Sequence, residues 1–322
     1  MWKNKTNKKV VWAYVALLSV VLIWSLSPIL ANLKVVTDGY SPGMLIALRS
    51  LFAAVALALI NAKKLKEIDR EYFKVAIPSG VALSAGTICQ MVGYRYDASP
   101  GESAVLENLA LIVIPILLFV FTRKKPSWMK IAAAILCFIG SAIIALEGSG
   151  GDLFSVSLGK WLASIAGILY GANFVITGTY ARKLNSGVFV FIQICIQTVA
   201  AFAYAFIGEK LLMGDKGIFA FTFDWLPFMI VGVMGVVATG ICWALRANCL
   251  KTIPVMIASV IMPFSTVLTG VWSVIGGMES LTWNLWVGGL IVLASIFIAQ
   301  IGDKEGPDKA KIVEVESITE QE

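Results

Sequence analysis

Two carboxylates and a guanidinium stand where apolar residues are expected. In SPGESAVLENLALIVIPILLFV, residues 99–120, Glu102 and Glu107 interrupt a long apolar run, and Arg49 does the same in SPGMLIALRSLFAAVALAL, residues 41–59. A charge at the centre of a bilayer costs about 2.5–3.5 kcal/mol on insertion scales, so each of these residues needs a reason to be there. For Glu102 the local pattern supplies one. Ser99 reads as an N-cap, Pro100 as the first helical residue and Glu102 as the third, a capping box that satisfies orphan N–H groups in the favourable field of a helix start. Glu107 lies seven residues past Pro100, and Arg49 lies seven past Pro42. At 1.5 Å per residue both sit about 10 Å along their helices, at the same depth.

Three chemistries fit that pair. The two side chains can lock their helices together as an ion pair. Glu107 can instead bind a proton or a cationic substrate, and Arg49 can meet a substrate carboxylate through its bidentate donors. Other polar residues fall inside apolar runs: Gln90, Asn108, Asn173, Gln193 and Gln197. Gln193 and Gln197 are four apart and share one helix face. Interhelical hydrogen bonding, worth about 0.6 kcal/mol on average inside membranes, and lining of a polar cavity both suit them. Trp24, Tyr170 and Trp243 can stack on a substrate or hold an ammonium group by cation–π contact, whereas Tyr94, near the end of its run, suits an interfacial belt. Gly167 and Gly171 form a GxxxG spacing suited to close helix packing. Pro28, Pro115 and Pro263 mark kinks or flexing points.

The residue inventory also excludes chemistry. The chain has no histidine, which removes the HExxH zinc arrangement and the Ser-His-Asp triad. No GxxxxGK[ST] loop points to a nucleotide. The five cysteines, Cys89, Cys137, Cys195, Cys242 and Cys249, have no metal-site or disulfide spacing. No cofactor, no metal and no enzymatic activity are expected.

The elements that position these residues follow from composition. Of 322 residues, 58% are hydrophobic and 14% charged, and the mean hydropathy is +0.84. Soluble domains run nearer 45–50% apolar and about 25% charged. The excess is gathered into ten runs: about 10–33, 44–62, 73–94, 100–121, 128–146, 158–181, 187–208, 225–245, 252–275 and 281–301. Each has the length that crosses a hydrocarbon core of about 30 Å as a helix, so an all-α integral membrane protein is expected. With the N-terminus in the cytoplasm, twenty Lys and Arg fall on cytoplasmic segments, Arg246 among them, and five fall outside. That asymmetry follows the positive-inside rule. The net charge of +6 is scattered over separate segments and reports topology rather than a nucleic-acid surface.

The runs repeat. LIWSLSPIL (22–30) resembles ILYGANFVI (168–176), pairing Trp24 with Tyr170 and Ser27 with Asn173. Residues 41–59 lie over 185–203, pairing Arg49 with Gln193, and 126–145 resemble 281–299. Each unit holds five runs. An odd number forces the second unit to enter from the opposite side, giving inverted repeats. Residues 1–9 then form a cytoplasmic N-terminus, 10–146 the first repeat, 147–157 an external linker, 158–302 the second repeat and 303–322 a disordered cytoplasmic tail.

On LIWSLSPIL, LRSLFAAVALAL, GESAVLENLALIVIPILL and PVMIASVIMPFSTVLTGVWSVIGGMESLTW, the chain resembles the EamA-like ten-helix transporters of the drug/metabolite transporter superfamily. The resemblance implies helices 1–4 and 6–9 around a central cavity, helices 5 and 10 outside, and movement of small organic solutes, often outward. A multi-pass plasma-membrane carrier for an amino acid, amine or similar metabolite is the expectation, with Glu107, Arg49, Trp24, Asn108, Tyr170, Asn173, Gln193, Gln197 and Trp243 as candidate binding or coupling residues. A channel or a non-transporting membrane assembly is the alternative. The expected partners are a small-molecule substrate and the lipid bilayer, with proton coupling and homodimerisation left open.

Overall fold

The structure, a computed structural model, describes residues 2–31, 33–95, 106–123, 126–145, 158–209, 211, 223–275 and 283–304. The apolar runs become helices: α1 (Trp2–Ala31), α2 (Pro42–Ile60), α3 (Arg70–Arg95), α4 (Ala110–Thr122), α5 (Trp128–Ala145), α6 (Leu158–Tyr180) and α7 (Ser186–Ala203). α8 starts at Trp225–Val233, passes through a π-helical stretch at Met234–Ile241 and ends at Cys242–Cys249. α9 has two pieces, Val255–Ile261 and Phe264–Ile275, and α10 spans Trp283–Lys304. Among the described residues, seven stretches are long and apolar enough to cross a membrane, within α1, α2, α3, α6, α7, α8 and α9. Shorter apolar helices, Ala110–Thr122, Trp128–Ile143 and Trp286–Ala299, stand where the fourth, fifth and tenth runs were expected.

The outer surface of the bundle suits hydrocarbon. Leu59, Val199 and Trp283 are 75%, 71% and 82% exposed, an arrangement that water would penalise and lipid favours. Local signals start the helices. Ser41 caps α2 by accepting a hydrogen bond from the Met44 N–H, with Pro42 at the first helical position, and Asn185 caps α7 by accepting from Gly187 and Val188. The Ser99–Glu102 capping box lies outside the described residues.

Packing between the halves has a two-fold pattern. α5 packs on α10 and α2 on α7; α3 meets α6 and α7, while α8 meets α1 and α2; α4 meets α6, while α9 meets α1. Adding five to each helix number returns the same set of neighbours. That is the contact pattern of a duplicated unit whose copies are exchanged by a two-fold axis. Because each unit holds an odd number of helices, the axis lies in the membrane plane.

Two boundaries differ from expectation in ways that matter for the site. α8 continues to Cys249, so Arg246 belongs to a helix and not to a loop, and its side chain is 4% exposed. α4 is preceded by helical residues 106–107 and a tight turn at Asn108–Leu109. Its repeat partner α9 is interrupted at Met262–Pro263. The two-fold-related helices are therefore both discontinuous, the α9 break at a proline that removes an N–H donor. Pro28 and Pro115 lie inside unbroken helices.

Candidate functional site

The polar residues of the spans meet in two layers. The first is built around Glu107. Its Oε1 accepts a hydrogen bond from Gln90 Nε2 at 2.8 Å, and Gln90 Oε1 accepts from the Tyr170 hydroxyl at 2.8 Å. Tyr170 also reaches Thr87 Oγ1 at 3.3 Å, which accepts from Gln197 Nε2 at 3.4 Å. The layer thus links α3, the turn before α4, α6 and α7. Gly167 makes the approach possible: a Cβ there would lie 2.6 Å from the Leu106 carbonyl oxygen and 2.7 Å from that of Glu107. Gly171, one turn on, meets Ala110 no closer than 3.4 Å. The GxxxG therefore presses α6 against the turn that carries Glu107.

The second layer lies nearer the end of the bundle that bears Lys63, Lys64, Arg182 and Lys183. Asn173 Nδ2 donates to the Ser79 carbonyl and hydroxyl at 3.0 and 3.1 Å, and Gln193 Nε2 donates to the same hydroxyl. Arg246 Nη2 donates to Asn173 Oδ1 at 2.7 Å. Asn173 and Gln193 are fully buried, so these hydrogen bonds satisfy donors that would otherwise be costly, while Gln193 Oε1 meets no donor.

Arg49 and Trp24 bring α2 and α1 against α8. Arg49 donates from Nε and Nη2 to Thr239 Oγ1 at 3.3 and 3.1 Å. Trp24 Nε1 donates to the Ala238 carbonyl at 2.8 Å, and its ring lies 5.3 Å from that of Trp243. Both acceptors sit in the π-helical stretch of α8, a kind of local unwinding that often marks functional positions. The two halves use matching gestures. Trp24 reaches from α1 to α8 and Tyr170 from α6 to α3; Arg49 reaches from α2 to α8 and Gln193 from α7 to α3. Each pair is related by the repeat, with different chemistry at the tip.

The Arg49–Glu107 ion pair is not formed. Arg49 rests on a hydroxyl and Glu107 on an amide, and no acidic partner of Arg49 is found among the described residues. Trp24, Arg49, Gln90, Glu107, Asn108, Tyr170 and Trp243 are half-buried although they face other helices. Asn108 stands apart: its Nδ2 is buried and meets no acceptor. Sequence reasoning missed Thr87, Ser79, Thr239 and the carbonyl of Ala238, small groups with no signal of their own, and it placed Arg246 in a loop. The Tyr94 side chain and Glu102 lie outside what is described.

A second contact between the halves lies at the far end of α2 and α7. Glu209, 1% exposed, accepts a hydrogen bond from the Gly43 N–H at 2.7 Å in the first turn of α2, and its Oε2 has no partner. At the lysine-rich end the Asn61 side chain packs against Gly187 in the first turn of α7, whose N–H is already bonded to Asn185.

A bundle of apolar helices, duplicated about a two-fold axis and polar at its core, defines a multi-pass membrane transport protein. The sequence matches the EamA-like transporter family over residues 11–146 and 157–300, and the chain belongs to that family. It is thus a membrane transporter of the drug/metabolite type, in a family of transporters rather than enzymes. One solved crystal structure is similar over 90% of this chain and 96% of its own, with a TM-score of 0.72 and 15% identity, a likeness of fold alone. No curated protein matches the sequence significantly.

Proposed function

We propose that the protein is a secondary carrier that exports a small amino-acid-like or amine metabolite across the plasma membrane by alternating access, with both termini in the cytoplasm. The observation that carries this reading is that Arg49 and Glu107 do not pair with each other: Arg49 donates to Thr239 and Glu107 accepts from Gln90. A guanidinium with a hydroxyl partner leaves donors for a substrate carboxylate. A carboxylate held by an amide suits an ammonium group or a proton. Trp24, Tyr170 and Trp243 supply flat apolar faces between them. The lysine-rich end supports the orientation through the positive-inside rule.

Counterflow in proteoliposomes tests the reading. Vesicles loaded with a mixture of L-amino acids should accumulate labelled members of that mixture, and the rate should saturate. Absence of counterflow with both amino acids and amines refutes it, and unsaturable flux assigns a pore. Proton coupling is a property of Glu107 in this scheme. Glu107→Gln is expected to abolish pH-driven transport while sparing exchange; pH-driven uptake retained in that variant removes Glu107 from the coupling.

A further inference from the structure

Arg246 is a buried cation without an anion. Its Nη2 donates to Asn173, and its Nε is buried and meets no acceptor. The guanidinium carbon lies 4.1 Å from the centroid of the Trp243 ring, 5.0 Å from Phe174 and 6.0 Å from Trp24. No Asp or Glu pairs with it among the described residues. Arginine stays charged in proteins, and buried charges are ordinarily paired. The three rings offer their negative faces and offset part of the charge. They cannot accept the in-plane N–H groups. The edge of the guanidinium that carries the unbonded Nε suits a planar acceptor, which is the shape of a carboxylate.

The position of Arg246 along α8 bears on what reaches it. Asn248, two residues further on, lines two grooves at the lysine-rich end. One, of about 420 Å³, lies against α1 beside Lys9 and Trp12. The other, of about 260 Å³, lies between α2, α7 and α8 beside Asn61 and Lys251. Burial, and next the charge of Lys64, lower the pKa of Lys251, whose Nζ donates to the Leu184 carbonyl. On the inner side, Trp24 joins Arg246 to the Arg49 layer, because its indole donates to Ala238 beside Thr239. Along α8, Arg246 lies between Asn248, which lines the grooves, and Thr239, the partner of Arg49.

We propose that Arg246 is a second anion-binding station, on the cytoplasmic side of Arg49, which takes the substrate's carboxylate at the edge of its guanidinium while Trp243 and Phe174 hold its faces. The proposal rests on the reading above that the substrate carries a carboxylate. It gives that substrate a way point between the cytoplasm and the central layer.

The test uses simple carboxylates and not the natural substrate. Purified wild type in detergent is titrated with sodium benzoate and sodium acetate against benzamide and acetamide at constant ionic strength. Tryptophan emission and thermal stability are followed. The carboxylates should give a saturable response that the amides do not. Arg246→Gln should weaken carboxylate affinity roughly tenfold or more, and Arg246→Lys, which keeps the charge but loses the planar fork, roughly threefold or more. The lysine variant decides the matter where the glutamine variant fails to fold. Unchanged affinity in Arg246→Lys, no preference for carboxylates in wild type, or a response lost only in Arg49→Gln each overturns the proposal. Amino-acid counterflow is scored separately. Carboxylate binding through Arg246 without counterflow sinks the amino-acid reading and keeps the anion station; counterflow without it does the reverse.

Discussion

Arg49 and Glu107 do not pair with each other, and this sets how they respond to mutation. Removing one member of a buried ion pair costs about 3–5 kcal/mol, because it strands the other charge. Here neither residue strands the other. Arg49→Gln and Glu107→Gln are each expected to lose less than about 3 kcal/mol of stability. Thermal unfolding of the purified variants in detergent checks this, and large, equal losses in both would restore the ion pair. Asn173 is the more vulnerable position. It holds Ser79 and Arg246 together, so Asn173→Ala leaves buried groups unsatisfied and should cost about 1–3 kcal/mol in the same assay. The sequence made Asn173, Gln193 and Glu107 visible because each is polar in an apolar run. It hid Thr239 and Ser79, since a hydroxyl on an apolar helix is unremarkable until its partner is known. It misplaced Arg246 because a basic residue close to the end of a run looks like a loop charge.

At the scale of elements, the expected helices and their order were legible, since length and hydropathy alone decide them. The interruptions were not. The turn at Asn108–Leu109 leaves no signature in ENLALIV, and the π-helical stretch of α8 is written only as an apolar run with two glycines, Gly235 and Gly240. Gly235 explains why that run needs a small residue: a Cβ there would lie 2.6 Å from the Arg49 carbonyl oxygen. The two glycines of the α6 GxxxG give a sharper test. Gly167→Ala places a methyl group against the backbone that carries Glu107, so it should abolish counterflow and lower the yield of folded protein. Gly171→Ala meets only ordinary contact distances and should be tolerated. Equal behaviour of the two variants would mean that α6 does not position the Glu107 turn.

At the scale of the whole molecule, the repeat fixes which helices touch. The pairings Trp24–Tyr170 and Arg49–Gln193, readable as sequence offsets, reappear as matching reaches between halves. The repeat does not fix what is equal. Glu209 seated on Gly43 and Asn61 seated on Gly187 fasten opposite ends of the same two helices. Loss of a cap costs about 1 kcal/mol, close to a fivefold change in opening. Glu209→Ala is therefore expected to speed amide exchange in residues 41–48 about fivefold while leaving 58–65 unchanged, as measured by hydrogen-exchange mass spectrometry; uniform acceleration would show that the clasp is not local. The clasp at Gly43 is an acid lying in the positive field of a helix start, and the clasp at Gly187 is a neutral amide. A duplicated machine with identical clasps would be a balance with equal arms, indifferent to which side it faces. Only the contact at Gly43 is a hydrogen bond, so the two ends of the α2–α7 pair are fastened unequally.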